Sequence, residues 1–226
     1  MQLKLIFQIC IVIAFIYFAQ LLILITLQYV PLNYEVSFLQ LKTEINLFHY
    51  RIAFFTHVYS SIFVLLLGFL QFIPIIRKKY KQTHRIIGKL YVLIILILSA
   101  PSGLVMGYYG NGGFYSQLSF CLLAIFWFIS TLLAFIYAKK GQYIKHFDFM
   151  TISYALTLSA ISLRLFKWII VGFWGLPPMD TYKIVAWLGW VFNLIVAYGI
   201  IKFNNRKTII NHTTNLLNDI SQNKKK

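Results

Sequence analysis

IAFFTHVYSSIFVLLLGFLQFIPIIRKKYKQTHR, residues 52–85, decides the architecture. Ile52–Ile76 contains no Asp, Glu, Lys or Arg, and the next nine residues hold five Lys or Arg. About 20 apolar residues at 1.5 Å rise each cross roughly 30 Å of hydrocarbon, so the first part is long enough for a membrane span. A basic run directly after such a span marks the cytoplasmic side.

The same pattern extends in both directions. Apolar segments at 5–30, 86–107, 115–138, 147–172 and 182–203 bring the expected spans to six. The chain is 60% hydrophobic and 12% charged, with a mean hydropathy of +0.75. A soluble domain carries about 25% charged residues. This composition excludes a soluble globular enzyme, a disordered tail and a disulfide-rich secreted scaffold. The expected architecture is therefore all-α: one six-helix transmembrane bundle over residues 1–203, followed by a polar, basic and frayed tail over 204–226.

Charge fixes the expected orientation. There are 21 Lys and Arg against 5 Asp and Glu. Six spans place both termini on one side, and sixteen basic residues then share that side: Lys4, the Arg77–Lys89 group, Lys139, Lys140, Lys145, Lys202 and five in the tail. Lys42, Arg51 and Lys183 face the other side, and Arg164 and Lys167 fall inside a span. Both termini are accordingly expected in the cytoplasm. The excess of positive charge is topological, so nucleic acid is not expected as a partner. The first segment is too long for a signal-peptide core, lacks a small-residue cleavage site and should remain as a helix. Cys10 and Cys121 fall at opposite ends of their spans, too far apart for a disulfide.

Polar residues inside such helices are costly and therefore informative. At a 3.6-residue period His146, Met150, Ser153, Thr157, Ala160 and Arg164 share one stripe, and His57, Ser61, Val64, Gly68 and Gln71 share another. Small and hydroxyl residues so spaced are ordinary helix contacts. Two groupings go further. At the inner interface His84, Arg85, His146 and Gln71 should lie at similar depth, and two histidines at one depth on different helices is what bis-imidazole haem ligation requires. The plain alternative makes each histidine an interfacial anchor. In the outer third, His57 and Arg164 flank a helix break expected at Ser99–Gly103, where proline frees a carbonyl. Arg164 then snorkels, binds carbonyls, reaches Glu35, Glu44 or Asp180, or holds an anionic ligand. Gly110–Gly113 reads as a turn needing left-handed dihedrals, not a nucleotide loop. Asp180 or Thr181 is expected to cap the sixth helix. His49 is placed in the outer connection and His212 in the tail, with no role for either.

The run His57…Gly68…Gln71-Phe72…Arg77…His84-Arg85…Gly88…Tyr91 resembles a bacterial family of predicted membrane proteins of unknown function. Gly103…Met106…Gly112-Gly113…Phe120…Trp127…His146…Met150…Arg164 continues the resemblance, which spans about residues 52–166. Phe69 stands where the pattern has proline, Phe149 where it has tryptophan, and Thr151–Ser153 where it has a second arginine. The resemblance implies a multi-span bundle in a bacterial cytoplasmic membrane and no particular activity.

The leading expectation is a redox-type membrane protein with His84, His146 and His57 as ligands of a b-type haem, or interacting with quinone. The alternatives are a small permease with a polar site at the outer third of the bundle, formed by the kinked third helix, His57 and Arg164, with Arg164, Gln71 and Arg85 as candidate substrate-binding residues, or an assembly factor for another membrane complex. Six short spans suit a transporter best as a homodimer. Hydrolysis is disfavoured, because there is no His-Glu-x-x-His, nucleophile elbow or carboxylate pair in a span.

Overall fold

The computed structural model describes residues 2–32, 36, 39–40 and 42–223, and of 2–5, 7–8 and 206–223 the backbone alone. It is an all-helical bundle. Five helical stretches are long and apolar enough to cross a bilayer: Ile9–Leu27, Phe48–Phe72, Lys81–Tyr108, Phe114–Lys139 and Pro178–Asn205. A sixth arises if Tyr143–Thr157 and Ser159–Trp174 count as one span bent by 44°. The helices are α1 (Gln2–Leu27), α2 (Phe48–Phe72), the short α3 (Pro74–Lys78), α4 (Lys81–Ile94) and α5 (Ala100–Tyr108). After them come α6 (Phe114–Lys139), α7 (Tyr143–Thr157), α8 (Ser159–Trp174) and α9 (Pro178–Asn223). The end carrying the α1–α2 connection is called the upper end below.

Local chemistry sets the boundaries. The second span runs about four residues earlier than its apolar run suggests, because Pro74 cannot continue α2 and opens α3 instead. Gly112 and Gly113 adopt φ of 89° and 77°, the left-handed turn the sequence calls for between α5 and α6. At Pro101 the helix is not interrupted. A π-turn over Ile95–Ser99 takes up the extra residue, and α4, the π-turn and α5 continue as one stretch. The break falls instead at Leu158, where no proline or glycine stands. Thr151, Thr157 and Ser159 each return a hydroxyl to a backbone carbonyl of the preceding turn, at 2.8, 3.0 and 2.6 Å. Such bonds compete with the helix ladder and bend it. α9 starts at Pro178, and neither expected cap forms: Thr181 donates to the Leu176 carbonyl and Asp180 pairs with Lys183 at 3.2 Å. Its backbone stays helical to Asn223, beyond the expected frayed end.

The centre of the bundle is aromatic on one side and hydroxyl-rich on the other. Tyr91, Val64, Ile95, Trp127 and Tyr154 form the main core. Within it the Tyr91 hydroxyl meets Ser153 at 2.9 Å and Thr157 at 3.0 Å, Thr131 meets Ser153 at 2.7 Å, and the Trp127 indole N–H donates to Thr157 at 3.0 Å. These bonds join α4, α6 and α7 through atoms that would otherwise be unsatisfied in hydrocarbon. The Ser153/Thr157 stripe is thus a packing seam. Each remaining hydroxyl keeps another partner without the tyrosine. Tyr91→Phe should therefore cost only about 0.6–2 kcal/mol, read from unfolding by SDS titration. A larger loss would mean that the network is cooperative.

Candidate functional site

A cavity of about 600 Å³ lies in the upper half, enclosed by α1, α2, α5, α6, α8 and the start of α9. Its walls are mostly apolar, with Leu65, Met106, Leu123 and Leu156 among them. Two residues expected at the polar outer site, His57 and Arg164, line it, and Lys167 stands one turn above Arg164.

His57 is held in one orientation. Its Nδ1 lies 2.8 Å from the Ser99 carbonyl, the last residue of the π-turn. A carbonyl only accepts, so Nδ1 carries the hydrogen and the neutral ring presents a bare Nε2. Gly103 supplies the seat, since a Cβ there would sit 2.9 Å from His57 Cε1 and 3.0 Å from Nδ1. The ring meets Trp127 edge-on at 6.4 Å between centroids. The segment beside Pro101 therefore does border the site, through the Ser99 carbonyl that His57 bonds, and without breaking the helix.

Arg164 makes one hydrogen bond, from Nη1 to the Ala160 carbonyl on its own helix at 2.8 Å. Arg164 is an exposed residue of the bundle and lines the cavity. Among the described residues no carboxylate pairs with it. Glu44 is bound to Lys42 at 3.5 Å and Asp180 to Lys183, while Glu35 lies outside the described residues. A guanidinium has five N–H donors, so most of its capacity faces the cavity. Tyr50, on the same wall, is fully buried, and its hydroxyl has no partner.

The upper mouth is roofed. Lys42, only 4% exposed, donates to the Tyr109 carbonyl and, at 2.7 Å, to Asn111 Oδ1. His49 lies in the first turn of α2 rather than in the connection, and its Nε2 meets the Tyr109 hydroxyl at 2.8 Å. Leu39 is buried with Tyr29, Tyr50 and Phe54 beneath. A hydrogen bond from its own backbone N–H, with Lys42 and Thr43 adding to it, holds the Glu44 carboxyl below the ordinary value.

The lower end gathers the other expected residues. His84 and His146 lie within electrostatic reach of each other and of Arg77. His146 donates from Nδ1 to the Ala134 carbonyl at 2.8 Å. Gln71, 6% exposed, packs its carbonyl oxygen on Gly88, one turn from His84. Gln71 Nε2 and His84 Nδ1 are buried without partners. Arg85 is exposed and lines neither site, because its helical position is about 100° from His84. Arg77, which also stands over the Phe147 ring at 5.9 Å, takes the place expected of it. Among the described residues no cluster of three or more His, Cys, Asp or Glu could hold a metal ion.

Comparison with known proteins adds the family. Residues 54–201 match the family model described as "Predicted membrane protein (DUF2306)". The chain belongs to this family. The DUF2306 segment contains His57, Gln71, His84, Arg85, His146 and Arg164, whereas α1 and the roof over the cavity lie before it. No curated protein and no solved structure matches the chain.

Sequence reasoning missed Tyr50 and Lys42. A tyrosine at the start of an apolar run reads as an interfacial residue and a lysine in a connection as solvated. Neither pattern carries a signal for burial.

Proposed function

We propose that this DUF2306 protein is a small permease-type membrane protein whose upper cavity binds an anion. Arg164 carries the reading: a guanidinium within a spanning segment, with free donors and no described carboxylate partner, on the wall of a mostly apolar cavity. An unpaired charge at this depth is costly, and an anionic ligand offsets that cost. His57 lines the same space, and with Nδ1 on the Ser99 carbonyl its Nε2 is left to accept a proton from an acidic ligand. The basic lower end is taken as the cytoplasmic side, following the sixteen-to-three distribution of Lys and Arg.

The test is thermal unfolding of the purified protein against a panel of carboxylates, phosphates and sulfonates. A ligand at a hundred times its Kd stabilises by about 2.7 kcal/mol, which for a chain of this size is on the order of 5–10 °C. At least one member should raise the Tm, and none should do so for Arg164→Met. A panel without effect on well-folded protein would refute the reading.

One observation favours the haem reading, namely the proximity of His84 and His146. A Soret band in protein expressed with adequate haem, with an α-band sharpening on dithionite reduction and lost in His84→Ala, would establish it. A flat visible spectrum would retire it.

A further inference from the structure

The upper cavity is apolar over most of its wall, yet polar groups with unused hydrogen-bonding capacity face it. Arg164 spends one donor on Ala160, and Lys167 adds a second cation one turn above. A small hydrophilic anion would satisfy the cations and leave the apolar wall wet. A neutral apolar molecule would fill the wall and leave the cations unpaired. Both costs vanish for a molecule that joins one anionic head to one apolar chain.

The size agrees. At roughly 30 Å³ per non-hydrogen atom, a share like that of a water in the liquid, the cavity holds about 20 such atoms. That is room enough for one long-chain carboxylate.

The route agrees as well. The upper mouth is covered by the Lys42 anchor, Leu39 and Tyr109. The side toward lipid is thinner. In the middle of α1, Phe15, Ala19 and Leu22 cluster with Leu158 and Ile161 at the start of α8. Above that level Ile25 of α1 and Tyr29, just past its end, pack on Phe54 and Phe55 of α2 and line the cavity with Leu163, Arg164 and Lys167 of α8. Arg164 and Lys167 are both exposed, and the outer face of α1 bears exposed Ile13, Ile16, Leu24 and Leu27.

We infer that the ligand of the upper cavity is a single-chain amphipathic monoanion drawn from the bilayer between α1 and α8, its head on Arg164 and its chain along the apolar wall. This rests on the anion-binding reading above and names the class of anion.

The experiment is equilibrium dialysis of radiolabelled palmitate against the full-length protein in maltoside micelles, with Tm as the check on folding. The expected result is saturable binding of one palmitate per chain, displaced by stearate but not by acetate, inorganic phosphate or hexadecanol. Loss of the charge-assisted pair in Arg164→Met should weaken binding on the order of tenfold or more, while Arg164→Lys should stay within about threefold. Hexadecanol competing as well as stearate would overturn the role of the charge. Acetate or phosphate competing as well as stearate would overturn the chain while leaving an anion cavity in place. Folded protein that binds palmitate no better than Arg164→Met does would also overturn the inference, and if the anion panel is silent too the cavity reading falls with it.

Discussion

Ligand-free Arg164→Met should be more stable than the wild-type protein, by about 1–2 kcal/mol and so roughly 2–8 °C in Tm. The sign is the informative part. Most substitutions destabilise, and one that shortens a contact network does so reliably. Arg164, however, holds no network: its one hydrogen bond goes to the Ala160 carbonyl of its own helix, and no described carboxylate meets it. A cation at the centre of a spanning helix costs about 2.5–3.5 kcal/mol on insertion scales; Arg164 stands in the outer third, where the cost is smaller, and cavity solvation and the Ala160 bond recover part of it. Methionine of similar length fills the same space among Leu163, Leu156 and Tyr29 without that cost. The same variant should lose every ligand-dependent rise in Tm. Stability gained and ligand response lost together identify a residue retained for binding. A less stable Arg164→Met would point to a structural counter-charge and would remove the main support for an anion site.

How much of this was legible beforehand follows from the physics of each feature. The spans were, because each is a run of apolar residues whose length matches the hydrocarbon and whose flanks are basic. The buried stripes were too, since Gly68, Ser153 and Thr157 recur at helical spacing and the structure buries all three. The bend at Leu158 was not. It results from hydroxyls at 151, 157 and 159 bonding backwards, and the same residues occur in straight helices. The cavity was not legible either, because it is the volume left between six helices and no residue pattern encodes it. Arg85 was singled out as the neighbour of His84, yet adjacent helical residues point apart, and Arg77, from the preceding short helix, reaches the site instead. The roof depends on Lys42 being buried in a connection, which runs against the usual fate of a lysine.

Gly68→Ala should be the most damaging single methyl group in the protein, costing about 3 kcal/mol or more and lowering the yield of folded protein. Its Cβ would lie 2.5 Å from Cδ2 and Cε2 of Tyr154 and 2.8 Å from Cε2 of Tyr91. Relief requires one ring to move, and neither is free. Tyr91 is fully buried, with its hydroxyl between Ser153 and Thr157. Tyr154 stacks on Phe72 at 5.2 Å and donates to the Leu65 carbonyl at 3.4 Å. The alternative is for α2 to withdraw, which would carry His57 and Gln71 away from Gly103 and Gly88, each of which is open only to the side chain it seats. Damage at Gly68 should thus spread to both polar regions. Gly172→Ala and Gly199→Ala provide the control, because nothing lies within 4 Å of either Cβ and helix propensity then favours alanine by about 0.5–1 kcal/mol. SDS unfolding midpoints of the three variants decide the matter. If Gly68→Ala unfolds with its controls, α2 is not held at this distance, and the registration of His57 against the π-turn needs another explanation. If it alone collapses, the aromatic floor under Gly68 is what sets α2 against the π-turn and gives the cavity its shape.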